Sequence, residues 1–129
     1  MAAGFPYNTG DVLTAVDMNS LVAFTINPQT GSSYTVGSSD QYQVLITTNN
    51  ATSSAVKIPT NATTAFPVGT VITVLNIGAG VCTISAVTSG TTTVLSAGAT
   101  AASPTLAQYK SAALIKTATD TWYVVGAIA

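Results

Sequence analysis

Between Lys57 and Lys110 the chain carries no charged side chain at all. The whole sequence holds only Asp11, Asp17, Asp40, Lys57, Lys110, Lys116 and Asp120, with no Glu, Arg or His. Charged residues make up 5% of it, against about 25% in an ordinary soluble domain. Surface ions are the usual means of keeping a monomer dispersed in water. A chain so poor in them is expected to be a building part, with much of its surface covered by other subunits.

The 129 residues suit one domain around one core. Apolar residues reach 47%, too many for a chain disordered through lack of hydrophobic groups. Thr dominates the polar remainder, and its β-branched side chain favours a pleated, half-buried surface. A net charge of −1 argues against a nucleic-acid partner, which needs clustered Lys and Arg. It also argues against a polybasic membrane patch. Mean hydropathy is high, at +0.49, yet no apolar run approaches the roughly 18 residues of a spanning helix. Aromatic girdles of a membrane barrel are lacking as well, so no membrane partner is expected. No basic segment followed by a long apolar one opens the chain, so no signal peptide is expected. The single cysteine, Cys82, lies in a strand-like run and reads as a buried, inert thiol.

Residues 1–28 read as an attachment segment. Gly4, Pro6 and Gly10 break regular structure in an extended arm, while Phe5 and Tyr7 need something to pack on. One short helix follows. Thr14 is its expected N-cap and Asp17 the N3 residue of a capping-box variant, with Leu13 and Met18 placed as a hydrophobic staple. That helix is expected to end before the Thr25–Pro28 stretch and is too short to stand alone.

Residues 29–129 read as a β-rich domain. From about Tyr34 the hydrophobic period is two. Strands are expected over Ser33–Val36, Gln41–Thr48, Ser54–Ile58, Thr70–Ile77, Val81–Val87, Thr91–Ser96, Tyr109–Thr117 and Trp122–Ile128. The Thr70–Ile77 strand is apolar on both faces, which suits a central or interface position. Gly78-Ala-Gly80 is expected to join two antiparallel strands in a tight hairpin, and Asn49-Asn50 to bend another. The fold class is therefore all-β, an antiparallel sandwich or barrel-like domain of seven to eight short strands behind the arm and helix.

Chemistry finds little to work with. Acid–base catalysis needs His or a tuned carboxylate pair, and the four Asp are scattered. Asp17 reads as a helix cap, and Asp11, Asp40 and Asp120 as turn residues. Cys82 has no His beside it to act as base. Zinc ligands, an EF-hand loop and a phosphate loop are all lacking. No catalytic residue, metal site or cofactor is expected. Asn50-Ala-Thr52 and Asn61-Ala-Thr63 match glycosylation sequons, but read as chance matches in a Thr-rich chain. Trp122 and Tyr123, adjacent on a strand, point to opposite faces, with Trp122 expected in the core and Tyr123 towards a partner.

Gly10-Asp-Val-Leu-Thr-Ala-Val-Asp-Met-Asn-Ser-Leu21 resembles a short adaptor segment near the N-terminus of many tailed-bacteriophage structural proteins. Phe66-Pro-Val-Gly-Thr70, Gly78-Ala-Gly80, Gln108-Tyr109, Ala112-Ala-Leu-Ile-Lys116 and Trp122-Tyr-Val-Val-Gly126, in that order, resemble a β-rich domain of phage fibre and virion surface proteins. The resemblance implies a homotrimeric, virion-attached β-domain with no enzymatic activity, made in the host cytoplasm. With no fibrous shaft in the sequence, the expectation is a capsid decoration (cement) protein. It would attach to the major capsid protein or other virion proteins through Phe5, Tyr7, Leu13, Met18 and Leu21. The alternative is a short tail-fibre or tail-tip component that binds a host receptor or surface glycan at loop tips such as Asn49–Ser54 or Ala97–Pro104.

Overall fold

A computed structural model describes Gly10, Ala15, residues 23–97 and residues 101–128. The expected arm and helix lie almost wholly outside the described residues. Among the described residues ten strands follow one another: β1 (Thr25–Gln29), β2 (Tyr34–Thr35), β3 (Val44–Thr48), β4 (Ser53–Ile58), β5 (Val71–Asn76), β6 (Val81–Ala86), β7 (Thr93–Ser96), β8 (Thr105–Leu106), β9 (Lys110–Ala118) and β10 (Thr121–Gly126). The eight strands expected from alternation are all present, most with trimmed ends, though β4 and β10 begin one residue earlier and β9 ends one residue later than expected. Two were not foreseen. β1 contains Pro28, which a period-two reading treats as a breaker, and β8 has only two residues.

The strands form two sheets. The first has six strands in the order β1-β3-β5-β9-β10-β7, and the second has four in the order β2-β4-β6-β8. From β1 to β6 the chain alternates strictly between them, so each strand pairs in parallel with the one two places before it. The same sequence offset separates Leu45 from its partner Thr73 and Ser53 from its partner Val81. This is a coil of three turns rather than a meander. β8, β9 and β10 then close it: β8 runs antiparallel to β6, and β9 lies antiparallel between β5 and β10. β7 forms the last edge, parallel to β10.

The expected antiparallel arrangement is thus corrected, because five of the eight strand pairings are parallel. Period two fixes which side chains share a face but not the direction of the neighbouring strand. The hairpins are corrected with it. Gly78-Ala-Gly80 links β5 to β6, and Asn49-Asn50 links β3 to β4, in each case from one sheet to the other. These are corners of the coil, and they stack. Asn49 donates its backbone N–H to Gln29 O, Gly78 to Thr48 O and Gly80 to Asn50 O. A Cβ on Gly78 or Gly80 would run into the backbone of Asn50 or Thr52 in the corner beneath. Glycine is there for close approach of two backbones, not for a turn dihedral.

The core lies between the sheets. Ile46, Ile72, Val74, Leu114, Trp122 and Val124 face inward from the first sheet, and Val56, Ile58, Cys82, Ile84 and Leu106 from the second. Phe66 closes one end, its ring edge-on to Trp122 with 5.5 Å between centroids. Trp122 in the core, Tyr123 on the opposite face and Cys82 as a buried free thiol agree with the sequence reading. Asn76 is wholly buried at the end of β5. Its Oδ1 accepts from Thr48 Oγ1 and Gly78 N, and its Nδ2 donates to Gly80 O and Leu106 O. One amide thereby ties the corner, the neighbouring coil and β8 together.

Candidate functional site

Among the described residues, the outer face of the six-stranded sheet gathers many of the exposed large apolar side chains. Alternation sends Val71, Ile115, Tyr123 and Leu95 outward, and the register lines them up as one row across β5, β9, β10 and β7. A second row runs Ile26, Leu45, Thr73, Ala113, Val125 across β1, β3, β5, β9 and β10. A third holds Pro28, Thr47, Leu75 and Ser111. None of these positions is charged. Val71 is 50% exposed, Ile26 53%, Val125 48% and Tyr123 42%. From strand spacing and rise the face measures roughly 25 Å by 17 Å. Apolar patches of this size on soluble proteins mark interaction sites. The opposite outer face, on the four-stranded sheet, carries Thr35, Ser53, Ala55, Lys57, Val81, Thr83, Ser85 and Thr105, a largely polar set that water satisfies.

A shallow groove of about 400 Å³ borders this face at Val71 and is lined by Tyr42, Pro67 and Val68 among others. It contains no ionisable group other than the Tyr42 phenol, so it offers shape and apolar contact rather than acid–base chemistry.

Three charged residues, Asp40, Asp120 and Lys116, are held in hydrogen bonds within the fold. Asp40 is buried in a single 3₁₀ turn, Ser38–Asp40. Its carboxylate accepts from Tyr34 Oη at 2.6 Å, Asn27 Nδ2 at 2.8 Å and the Gly37 N–H at 2.9 Å. Burial and the bond to Asp40 push the Tyr34 hydroxyl up to about 12. Asp120, in the β9–β10 turn, accepts from the Asn61 N–H and from Thr92 Oγ1. Lys116 is buried, with Nζ 2.6 Å from Asn61 Oδ1 and 2.7 Å from Phe66 O. Asp40 and Asp120 do sit in turns, as expected, but each is also an acceptor for distant donors. Both sequon asparagines have local duties too: Asn50 Oδ1 receives the Thr52 N–H and hydroxyl, and Asn61 holds Lys116.

Phe5, Tyr7, Leu13, Met18 and Leu21, the residues expected to grip a partner, lie outside the described residues, as do Asp11 and Asp17. Ala23, where the described chain resumes, leads straight into Phe24 and Ile26, both exposed at the β1 edge of the apolar face. The Asn49–Ser54 loop is part of a stacked corner. Ala97–Pro104 is described only in part.

Among the described residues no group of three or more His, Cys, Asp or Glu could hold a metal. No helix there is long and apolar enough to cross a membrane. Compared with family models, with curated proteins and with solved structures, the chain matches none.

Proposed function

We propose that this chain is a structural subunit without enzymatic activity that self-associates through the outer face of its six-stranded sheet. The single observation behind this reading is the charge-free, five-strand row of outward side chains on that face. Its physical basis is apolar burial at about 25 cal/mol per Å², on a surface where no ion has to be desolvated. The resemblance to virion surface domains extends the reading to a homotrimeric capsid decoration protein, carried on the particle by the segment before β1, since residues 25–28 of the expected attachment segment are part of the sheet.

Sedimentation of the full chain tests the first part. The wild type is expected to sediment as one discrete oligomer. The double variant Val71→Lys, Tyr123→Lys should stay folded and become monomeric, because unpaired charge in an apolar interface costs several kcal/mol, at least a hundredfold in affinity. A wild type that remains a single chain at high concentration overturns the proposal. Counting copies on purified particles tests the second part: hundreds support decoration and a handful support a tail component.

One observation favours the tail-tip reading as the alternative. Tyr109 is 75% exposed and held at φ +66°, a strained conformation for a bulky residue that is often kept for binding. Loss of receptor or glycan binding in Tyr109→Gly, with the fold intact, would favour that reading.

A further inference from the structure

Lys116 is the one lysine inside this molecule, and its setting is that of a reactant. Its backbone is pinned on both sides, with its N–H bonded to Thr70 O and its carbonyl to the Gly69 N–H. Its side chain runs inward beside Trp122, its register partner on β10. Nζ ends against two neutral acceptors, Asn61 Oδ1 and Phe66 O. Asn61 is fixed as firmly, since Asp120 holds its backbone N–H at 2.8 Å and is itself bonded by Thr92. With Nζ 2.6 Å from Oδ1, the carboxamide carbon one bond further on lies about 3–3.5 Å from the amine. The amine and the carboxamide are thus held next to each other by both anchors, without a diffusional step. Lys116 and Trp122 are buried, and Asn61 is half-buried at the edge of the core.

We propose that Lys116 and Asn61 condense into an intramolecular isopeptide bond. The ammonium first gives up one proton to solvent, the freed Nζ lone pair attacks Asn61 Cγ, the Cγ–Nδ2 bond breaks, and a second proton passes from Nζ to the departing nitrogen, which leaves as ammonia and takes a proton back from solvent. The ammonium side chain and the carboxamide thus become one secondary amide and an ammonium ion. No oxidant or co-reactant is consumed. The product joins β9 to the segment between β4 and β5, two parts of the chain that otherwise meet only by non-covalent contact. This linkage stands independently of the self-association reading.

The intact mass of the full chain, measured after denaturation, is the test. The wild type is expected to be lighter than its sequence by one ammonia, and proteolysis should yield a branched peptide joining Lys116 to Asn61. Lys116→Arg and Asn61→Ala should show their full masses, and Asn61→Asp should lose water instead of ammonia. A wild type that keeps its full mass through prolonged incubation of the folded protein overturns the proposal, whether or not any variant folds. An ammonia loss that persists in Lys116→Arg also overturns it, because it belongs to cyclisation at an asparagine elsewhere.

Discussion

Asp40 and Asn76 show how single polar residues hold a fold that has almost no ions. At the open first turn of the coil, Asn27, Tyr34 and Gly37 all donate to Asp40. The Tyr34 hydroxyl can donate only while it is protonated, which ties this cluster to pH. The ordinary value of 10.0 is raised to about 12 in the fold, so the neutral phenol is preferred in the native state. Between those values the unfolded chain loses this proton while the folded chain keeps it, so stability falls as pH rises. Below pH 10 the contribution is fully present, and above about 12 it is gone. For a partly buried ring still screened by solvent, the loss is expected to be about 1–2 kcal/mol. Denaturant titrations from pH 9 to 12 should show this slope, and Tyr34→Phe should flatten it. Asn76 is the larger single determinant. Asn76→Ala would remove the amide partner of Gly80 O in the corner, of Leu106 O on β8 and of Thr48 Oγ1 on β3, while the Gly78 N–H keeps Thr48 O. A loss of about 3–5 kcal/mol is expected from the unmet groups together, read as a drop in the urea midpoint. Neither role was legible in the sequence. Asp40 and Asp120 are recognisable as turn residues from local chemistry, but the donor on Asn61 that Asp120 satisfies is 59 positions away.

At the level of elements, alternation exposed the strands and concealed their partners. Tyr42, Val44 and Ile46 against Gln41, Gln43 and Leu45 is a strand pattern whatever the neighbour's direction. One clue to the parallel coil was present: the Thr70–Ile77 stretch is apolar on both faces, as central strands of parallel sheets are, and β5 is indeed central. The short glycine loop after it carried the opposite message, because tight Gly-rich connections usually close hairpins. What decides is the corner beneath, which no local pattern reports. This gives a sharp test at Gly80. Its φ is not in the left-handed region, so alanine would be tolerated if the site were a simple turn. In the stacked corner an added Cβ meets the Thr52 carbonyl and Ser53 nitrogen, both backbone, which cannot move without breaking the coil. Gly80→Ala is therefore expected to cost at least about 2–3 kcal/mol, in the range of overpacked sites. The same change at Gly90, where nothing lies within 4 Å, should cost under about 1 kcal/mol. Equal melting temperatures for the two variants would contradict stacking. The candidate site was legible in one respect. A charge-poor chain pointed to covered surface, and Tyr123 pointed outward. Which strands build the face needed the register, and β1, which contributes Ile26, was hidden by Pro28.

For the molecule as a whole, the scarcity of ions becomes a statement about what drives assembly. If the apolar sheet face carries self-association, the driving force is release of water from Val71, Ile115, Tyr123, Leu95 and their neighbours. Salt that merely screens charge should then do little, since surface pairs weaken with screening and hardly any exist here to weaken. Sulfate should act differently, because it is excluded from protein surface and strengthens apolar burial. An association held by ion pairs would show the reverse order, loosening in sodium chloride. The heat capacity of association separates the two a second time, since burying apolar area makes it negative. Isothermal dilution of the oligomer at several temperatures is expected to give an enthalpy of association that becomes more negative on warming. A tenfold rise in sodium chloride should leave the dissociation constant within a factor of about two, and sodium sulfate at equal ionic strength should lower it. Dissociation on adding sodium chloride, with an enthalpy independent of temperature, would mean that some polar surface outside this sheet holds the subunits together.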